Sequence, residues 1–389
     1  MAEASSTTTT KKVSSSHIPY ELALCILAKL PLKSLKRFTC VQKSWSLLFQ
    51  SSHFINMFSI NCMSKQDEDY ENTCLLLFGH TGPPENRCAM YSLSSDNFED
   101  RVRIDWPPPF QGNDYRCIEP LGSCSVNGII CIYEGDENDN NTTTVLWNPA
   151  TGEFKIIPPS IHYNIEFNFC PDAFGYDSIT DDYKVLRNAL IDENDLFMED
   201  PQVEEMCDTF WEIYSLKSNS WRKLDGINLP PPGPCISLVN LNELCHWLVS
   251  ELKNHMLSFD FSTEKFLATT LPLDSDEKKE CILQKLIVLN GSVAFMCSNY
   301  YDRNCFHIWI LGELGVKESW TKLFIVGPLP CFKSIPIGAG KKNDIYFAQE
   351  YNKLSQFNLS TQKCEELRIN IGYTVMYKKV LVSIPHLVE

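Results

Sequence analysis

The feature that most constrains this chain is a hairpin that recurs at nearly constant spacing. An aromatic residue is followed seven positions later by another large apolar residue, across a turn rich in Ser, Thr, Asn and Gly. The instances are Tyr91…Phe98, Trp147…Phe154, Tyr214…Trp221 and Phe259…Phe266. Phe357…Cys364 keeps the spacing with a smaller second member, and Trp309…Trp320 carries a loop four residues longer. A seven-residue gap across a turn sets the two side chains opposite each other on one face of an antiparallel pair, and such cross-strand pairs stabilise sheets. Successive first aromatics lie 56, 67, 45, 50 and 48 residues apart. A second turn signal precedes the later five, at Asn127-Gly128, Asp181-Asp182, Asn242-Glu243, Asn290-Gly291 and Asn343-Asp344. Asn-Gly is the strongest two-residue hairpin signal.

Two hairpins per unit, in six units of about 50 residues, predict four-stranded propeller blades. They are expected over 74–108, 122–159, 173–230, 235–273, 283–329 and 335–371. The final run from Tyr373 to Pro385 is expected to return as a strand that closes the ring with the first blade. Closure removes exposed sheet edges, which otherwise invite aggregation. A β-sandwich competes, but six matched units favour the propeller.

Residues 16–58 have a different period. Ser16 can cap a helix with Pro19 in its first turn, and Leu22, Cys25, Ile26 and Leu30 follow at helical spacing. Pro31 stops that helix. Short helices then carry Leu32, Leu35 and Phe38, and next Val41, Trp45 and Leu48. So small a unit rarely builds a sufficient core alone. Its surplus apolar face must pack on the rest of the chain or dock a partner. Since the propeller closes its own core, the expectation moves outward, to another protein.

Composition narrows the function classes. No stretch approaches 18 uncharged apolar residues, so no transmembrane helix is expected. Met1 to Ser16 is Ser/Thr/Lys-rich without an apolar run, which predicts a disordered tail over 1–15 and no signal peptide. The seventeen cysteines are odd in number, scattered and without C-x-x-C spacing. They read as reduced core thiols of a cytosolic or nuclear protein, with Cys131, Cys245 and Cys297 inside apolar runs. Residues 1–54 hold seven Lys/Arg against two acids, net +5, and the remainder holds 27 against 47, net −20. An acidic body argues against nucleic-acid or anionic-membrane binding, although acidity also simply keeps a protein soluble. The acid-rich run from Asp192 to Asp208 reads as a solvated loop.

No chemistry of its own is evident. There is no H-E-x-x-H, nucleophile elbow, phosphate loop or paired His set, so no catalytic residue, metal site or cofactor is expected. His80, His162, His246, His255 and His307 are isolated, and His246 beside Trp247 reads as a hydrogen-bonded core residue. Tyr300-Tyr301-Asp302 suits a pocket or a protein-binding surface. The runs 106–110 and 229–234 read as stiff connections between blades.

The pattern Ile18-Pro19…Leu22…Ile26-Leu27…Leu30-Pro31…Ser34-Leu35…Arg37-Phe38…Cys40-Val41…Lys43-Ser44-Trp45…Leu48 resembles the F-box. That resemblance implies binding to the Skp-type adaptor of a cullin-RING ubiquitin ligase. The family's contacts carry over onto Ile18, Pro19, Leu22, Ile26, Leu30, Pro31, Leu35, Arg37, Phe38, Val41 and Trp45. Further along, Leu146 to Phe154 (LWNPATGEF), Phe174-Gly175-Tyr176-Asp177 and Asp182-Tyr183-Lys184-Val185 resemble the F-box-associated interaction domain of plant F-box proteins. So do Tyr214-Ser215-Leu216…Ser220-Trp221-Arg222 and Ile308-Trp309…Ser319-Trp320-Thr321-Lys322. Relatives of that kind include kelch-like F-box proteins and the pollen S-locus F-box proteins that recognise self-incompatibility ribonucleases. The kelch glycine doublet is absent, Gly338-Ala339-Gly340 being nearest.

The expected fold is therefore α+β and multidomain: tail 1–15, helical F-box 16–62, acidic linker 63–73, and an all-β, six-bladed propeller-like domain over 74–389. The implied role is a non-catalytic substrate receptor of an SCF-type ligase in the cytoplasm or nucleus, with a protein substrate on the propeller. The alternatives are a propeller that binds a glycan or small molecule, and an F-box scaffold that does not lead to degradation. One sequence does not name the substrate or the propeller face that holds it.

Overall fold

The computed structural model describes residues 20–27, 48 and 73–80, and most of 88–384. Outside the described residues lie 1–19, 28–47, 49–72, 81–87, 95–99, 112–116, 137–138, 161–171, 192–207, 226–234, 242, 250–253, 274–280, 290, 300–303, 330–333, 340–343, 350–352, 360, 371–372, 381–383 and 385–389. The chain divides into two compact units, 1–62 and 63–389. In the first, helix α1 runs Tyr20–Leu27, with Leu24 and Leu27 buried and Ile26 exposed.

The second unit is a six-bladed β-propeller. Blade one begins with β1 (Thr73–His80), β2 (Cys88–Ser94) and β3 (Asp100–Ile104). Blade two is β4 (Cys117–Pro120), β5 (Ile130–Asp136), β6 (Asp139–Trp147) and β7 (Phe154–Ile156). Blade three is β8 (Ala173–Asp177), β9 (Asp182–Ile191), β10 (Asp208–Ser215) and β11 (Ser220–Lys223). Blade four is β12 (Cys235–Leu241), β13 (Leu244–Val249), β14 (His255–Asp260) and β15 (Lys265–Thr270). Blade five is β16 (Cys281–Leu289), β17 (Ser292–Asn299), β18 (Phe306–Ile310) and β19 (Thr321–Val326). Blade six is β20 (Ile335–Ala339), β21 (Asp344–Gln349), β22 (Lys353–Asn358) and β23 (Lys363–Asn370). The last strand, β24 (Tyr373–Lys378), pairs antiparallel with β1 and becomes the inner strand of blade one. The expected ring closure is thus made by the first and last strands of the propeller. Blade two starts at Cys117, five residues ahead of the expected 122, because β4 precedes the loop that the sequence reading took as its start.

The repeated hairpin explains itself in the register. Trp147 lies opposite Phe154, Tyr214 opposite Trp221, Phe259 opposite Phe266 and Phe357 opposite Cys364. In each, the residue five after the first member has a left-handed backbone: Gly152, Asn219, Glu264 and Gln362 have φ of 77°, 51°, 55° and 55°. The residue just after the first member caps the turn, as when the Asp260 Oδ1 accepts from the Ser262 and Thr263 N–H groups at 2.9 and 3.2 Å. Four-residue loops of this kind are built by such turn chemistry. Two pairs differ from expectation. Tyr91 lies opposite Arg103, with Arg101 stacked over its ring, and Phe98 falls outside the described residues. Trp309 lies opposite Lys322, because the longer connection brings the strands together at Ile310 and Thr321 rather than at Trp309 and Trp320. Trp320 ends a 3₁₀ turn and donates its indole N–H to the Thr270 carbonyl at 2.9 Å.

The core lies between blades. Trp211, Trp247, Phe259 and Phe261 fill the space between blades three and four, and Met256, Phe295, Trp309 and Trp320 fill the next. Such burial of large aromatic surface is the main stabilising term. Of the two proline-rich runs, Trp106–Phe110 connects blades one and two through a 3₁₀ turn whose Phe110 is buried. The run 229–234 lies outside the described residues.

Strand direction divides the loops between two faces. The first-to-second and third-to-fourth strand turns share one face, the turn face. The second-to-third connections and the crossings to the next blade share the other, the connection face.

Candidate functional site

The motif residues quoted from the sequence resolve into structural duties on the turn face. Asn148 is fully buried, donates to the Val380 carbonyl at 3.0 Å, and accepts from the Ala150 N–H at 2.9 Å and the Tyr377 hydroxyl at 2.9 Å. Glu153 accepts from the Ile384 N–H at 2.7 Å. The Asn-Pro-Ala-Thr-Gly-Glu turn of blade two therefore holds the returning C-terminal segment in place.

Blades three and four are joined by a charged network. The Lys184 ammonium donates to Asp177 at 2.8 Å, to Glu264 at 2.9 Å and to the Phe261 carbonyl at 3.0 Å. Arg222 also pairs with Glu264, and the Ser262 hydroxyl donates to Asp177 at 3.0 Å. Burial raises the Asp177 pKa, but the hydrogen bonds from Lys184, Thr180 and Ser262 outweigh it and hold the carboxyl well below the usual range. Gly175 beside this network is required sterically. A Cβ there would stand 2.2 Å from the Phe261 ring.

His246 is buried, its Nδ1 2.8 Å from the Ser258 hydroxyl, and burial pulls its pKa down to about 4. It is neutral at pH 7 and enclosed, the core residue that its setting beside Trp247 led us to expect. Cys131, Cys245 and Cys297 are buried thiols, and the described cysteines are all unpaired by disulfides.

At the axis, the chain after β4 crosses between blades. The Ser123 N–H donates to the Leu238 carbonyl at 3.3 Å, and the Ser125 N–H to the Met376 carbonyl at 3.1 Å. Gly122, at φ 80°, lies so close to Leu238 that a Cβ would meet that side chain at 2.3 Å. Toward the connection face, Cys235 and Cys124 stand near Lys285. Burial pushes the Cys235 thiol up to about 12 and the Cys124 thiol up to about 11, while it lowers the Lys285 ammonium. Cys235 is solvent-exposed. Thiols held this far toward the protonated form are poor nucleophiles. Among the described residues, no group of three His, Cys, Asp or Glu side chains is placed to hold a metal ion.

The inner strands of blades four, five and six share one irregularity that sequence reasoning missed. Each has a β-bulge near its start: between Cys235 and Ser237, between Cys281 and Leu283, and between Pro336 and Gly338. Each also exposes an isoleucine there, Ile236 at 46%, Ile282 at 51% and Ile335 at 48%. Bulges re-aim side chains and are enriched beside functional sites. In β12 and β16 the bulge has no local sequence signature, since Ile236 and Ile282 sit in runs that read as ordinary inner strand, whereas in β20 it falls between Pro336 and Gly338, residue types that mark bulges within strands.

Of the residues assigned to adaptor contact, Leu22 and Ile26 lie on α1, and Ile26 is 48% exposed. Ile18, Pro19, Leu30, Pro31, Leu35, Arg37, Phe38, Val41 and Trp45 lie outside the described residues, as do Tyr300 and Tyr301.

Residues 83–385 match the model of the F-box associated beta propeller domain. The chain belongs to this family. Curated relatives from Arabidopsis thaliana carry the same naming. The F-box protein CPR1 is 25% identical over 389 residues, covering 90% of this chain and 84% of the relative. The F-box protein At1g30790 is 28% identical over 341 residues, covering 82% and 77%. The F-box/LRR-repeat/kelch-repeat protein At2g27520 is 28% identical over 316 residues, covering 79% and 76%. This chain is thus similar to plant F-box proteins over both the propeller and most of its length.

Proposed function

We propose that this F-box-associated propeller protein is the substrate receptor of an SCF-type ubiquitin ligase. On this reading residues 16–62 fold as a helical F-box, giving an α+β chain. Ile18, Pro19, Leu22, Ile26, Leu30, Pro31, Leu35, Arg37, Phe38, Val41 and Trp45 form the adaptor face, and the propeller presents a protein substrate to the ubiquitin-charged enzyme. The chain supplies proximity and orientation and no bond-making group. It works in the cytoplasm or nucleus, where cullin-RING ligases and reduced thiols coexist. The observation that carries the reading is the combination in one chain of an F-box-like pattern at 18–48 with a propeller of the F-box-associated family.

The test is adaptor capture. The pair Leu30→Asp and Pro31→Ala should abolish co-purification of a Skp-type adaptor while the propeller keeps its far-ultraviolet circular dichroism and melting transition. Unchanged capture by that variant would sink the assignment.

A further inference from the structure

Beyond β24 the chain is held to the propeller in a different way from any strand. β24 lies on β1 through a backbone ladder that runs from Tyr373 opposite Phe78 to Lys378 opposite Thr73. Among the described residues, no backbone-to-backbone hydrogen bond is made by Val380 or Ile384. Side chains of blade two hold them instead. The Asn148 amide donates to the Val380 carbonyl at 3.0 Å, and the Glu153 Oε2 accepts from the Ile384 N–H at 2.7 Å. Asn148 is itself fixed, being fully buried and accepting from the Tyr377 hydroxyl of β24 at 2.9 Å. Gly128, in the other turn of blade two, comes so near that a Cβ there would stand 2.7 Å from the Val380 side chain. Ile384 is 2% exposed and belongs to the core between blades two and three, with Ile129, Leu146, Ile157, Phe174 and Val185.

A carbonyl held by an asparagine, an N–H held by a carboxylate and one aliphatic side chain in an apolar socket are the contacts of a docked peptide. The geometry points to the turn face between blades two and three as a peptide-binding site, which this chain fills with its own C-terminal segment. Its ligand is a protein segment with Ile, Leu or Val as anchor, the anchor's own N–H free for Glu153, and a carbonyl four residues earlier for Asn148. Proline cannot serve as anchor, having no N–H, and a charged anchor is refused by the apolar socket. The site belongs to the propeller alone and does not depend on the receptor reading. A foreign segment enters only when the chain's own has left, so the structure shows the self-occupied state. The apparent affinity for such a segment then falls by the fraction of molecules that are open.

The experiment uses the full chain and a fluorescein-labelled peptide with the sequence from Lys379 to Glu389. Binding is read by fluorescence anisotropy. Ile384→Ala in the chain removes the competing anchor and leaves the socket intact. That variant should bind the peptide about tenfold or more tightly than wild type does. Ile384→Val is a smaller loss that keeps the fold if the alanine variant does not, and its affinity should fall between the two. A peptide carrying Ile384→Asp should bind none of them. Glu153→Ala added to the alanine variant should weaken binding severalfold. Ile179→Ser, at a 77% exposed isoleucine elsewhere on the turn face, should leave binding unchanged.

Saturating peptide should also raise the melting transition of both Ile384 variants and leave that of wild type unmoved. No binding to an Ile384 variant that melts cooperatively overturns the proposal, as does equal binding of the Ile384→Asp peptide. Failure of both variants to melt cooperatively, with or without peptide, makes the segment a fixed part of the core and likewise overturns it. Concentration-dependent dimerisation of wild type that Ile384→Ala abolishes assigns the socket to a second copy's C-terminal segment, which overturns occupancy by the chain's own.

Discussion

Gly175→Ala is a one-carbon change whose cost can be worked from the interface between blades three and four. The added Cβ would stand 2.2 Å from both Cδ2 and Cε2 of Phe261 and 2.9 Å from its Cγ. Ordinary contacts between carbons are about 3.5–4 Å, so the ring must retreat by more than 1 Å. Phe261 has little room to do so: it is fully buried and packs edge-on against Phe259 at 5.0 Å between centroids. Its carbonyl also accepts from Lys184 at 3.0 Å, so displacement loosens the charged network as well. Overpacking of a tight core costs about 1–3 kcal/mol, and the coupled network puts this site toward the upper end. The expected loss, near 3 kcal/mol, is measured as a fall in the urea midpoint at unchanged slope. The partner variant Phe261→Leu removes the clashing ring. The double variant should therefore be at least about 1 kcal/mol more stable than the two single losses predict together. Gly152→Ala is the control with a different cause. It has open space around its Cβ position but a φ of 77°, so it should lose only about 1 kcal/mol, for backbone strain alone. Gly175→Ala within 0.5 kcal/mol of wild type, or strict additivity with Phe261→Leu, would refute the steric reasoning.

Two further outcomes follow from the buried polar groups. Lys184→Met should destabilise by about 3–5 kcal/mol, because it leaves the enclosed Asp177 carboxylate without its cation, and adding Asp177→Leu should recover part of that loss in a denaturation series. His246 is depressed to about 4 by burial, so the unfolded chain takes up its proton first as pH falls through about 6.5. Stability contributed by the neutral imidazole is therefore complete above that pH and declines toward pH 4, by on the order of 3 kcal/mol. His246→Gln should remove this part of the pH dependence, and a variant whose stability profile between pH 4 and 7 matches wild type would contradict the assignment.

Much of the fold was legible because its repeat is local. A four-residue turn with a left-handed fourth position decides which residues face each other, and Trp147, Tyr214, Phe259 and Phe357 meet their partners as their spacing implies. Tyr91 and Trp309 departed from it where the connection between the strands set a different register, which spacing alone does not record. The F-box resemblance was likewise a matter of short-range pattern.

By itself, then, the sequence determined the blade count, the hairpins and the kind of machinery the chain resembles, since each depends on residues close together along the backbone. Only the tertiary structure decided the rest. It made β24 the inner strand of blade one and set Phe261 against Gly175, and it joined Lys184 to carboxylates from two blades. It also exposed Ile236, Ile282 and Ile335 at one end of the axis. Those contacts link residues far apart in sequence, and their geometry exists only once the ring has closed.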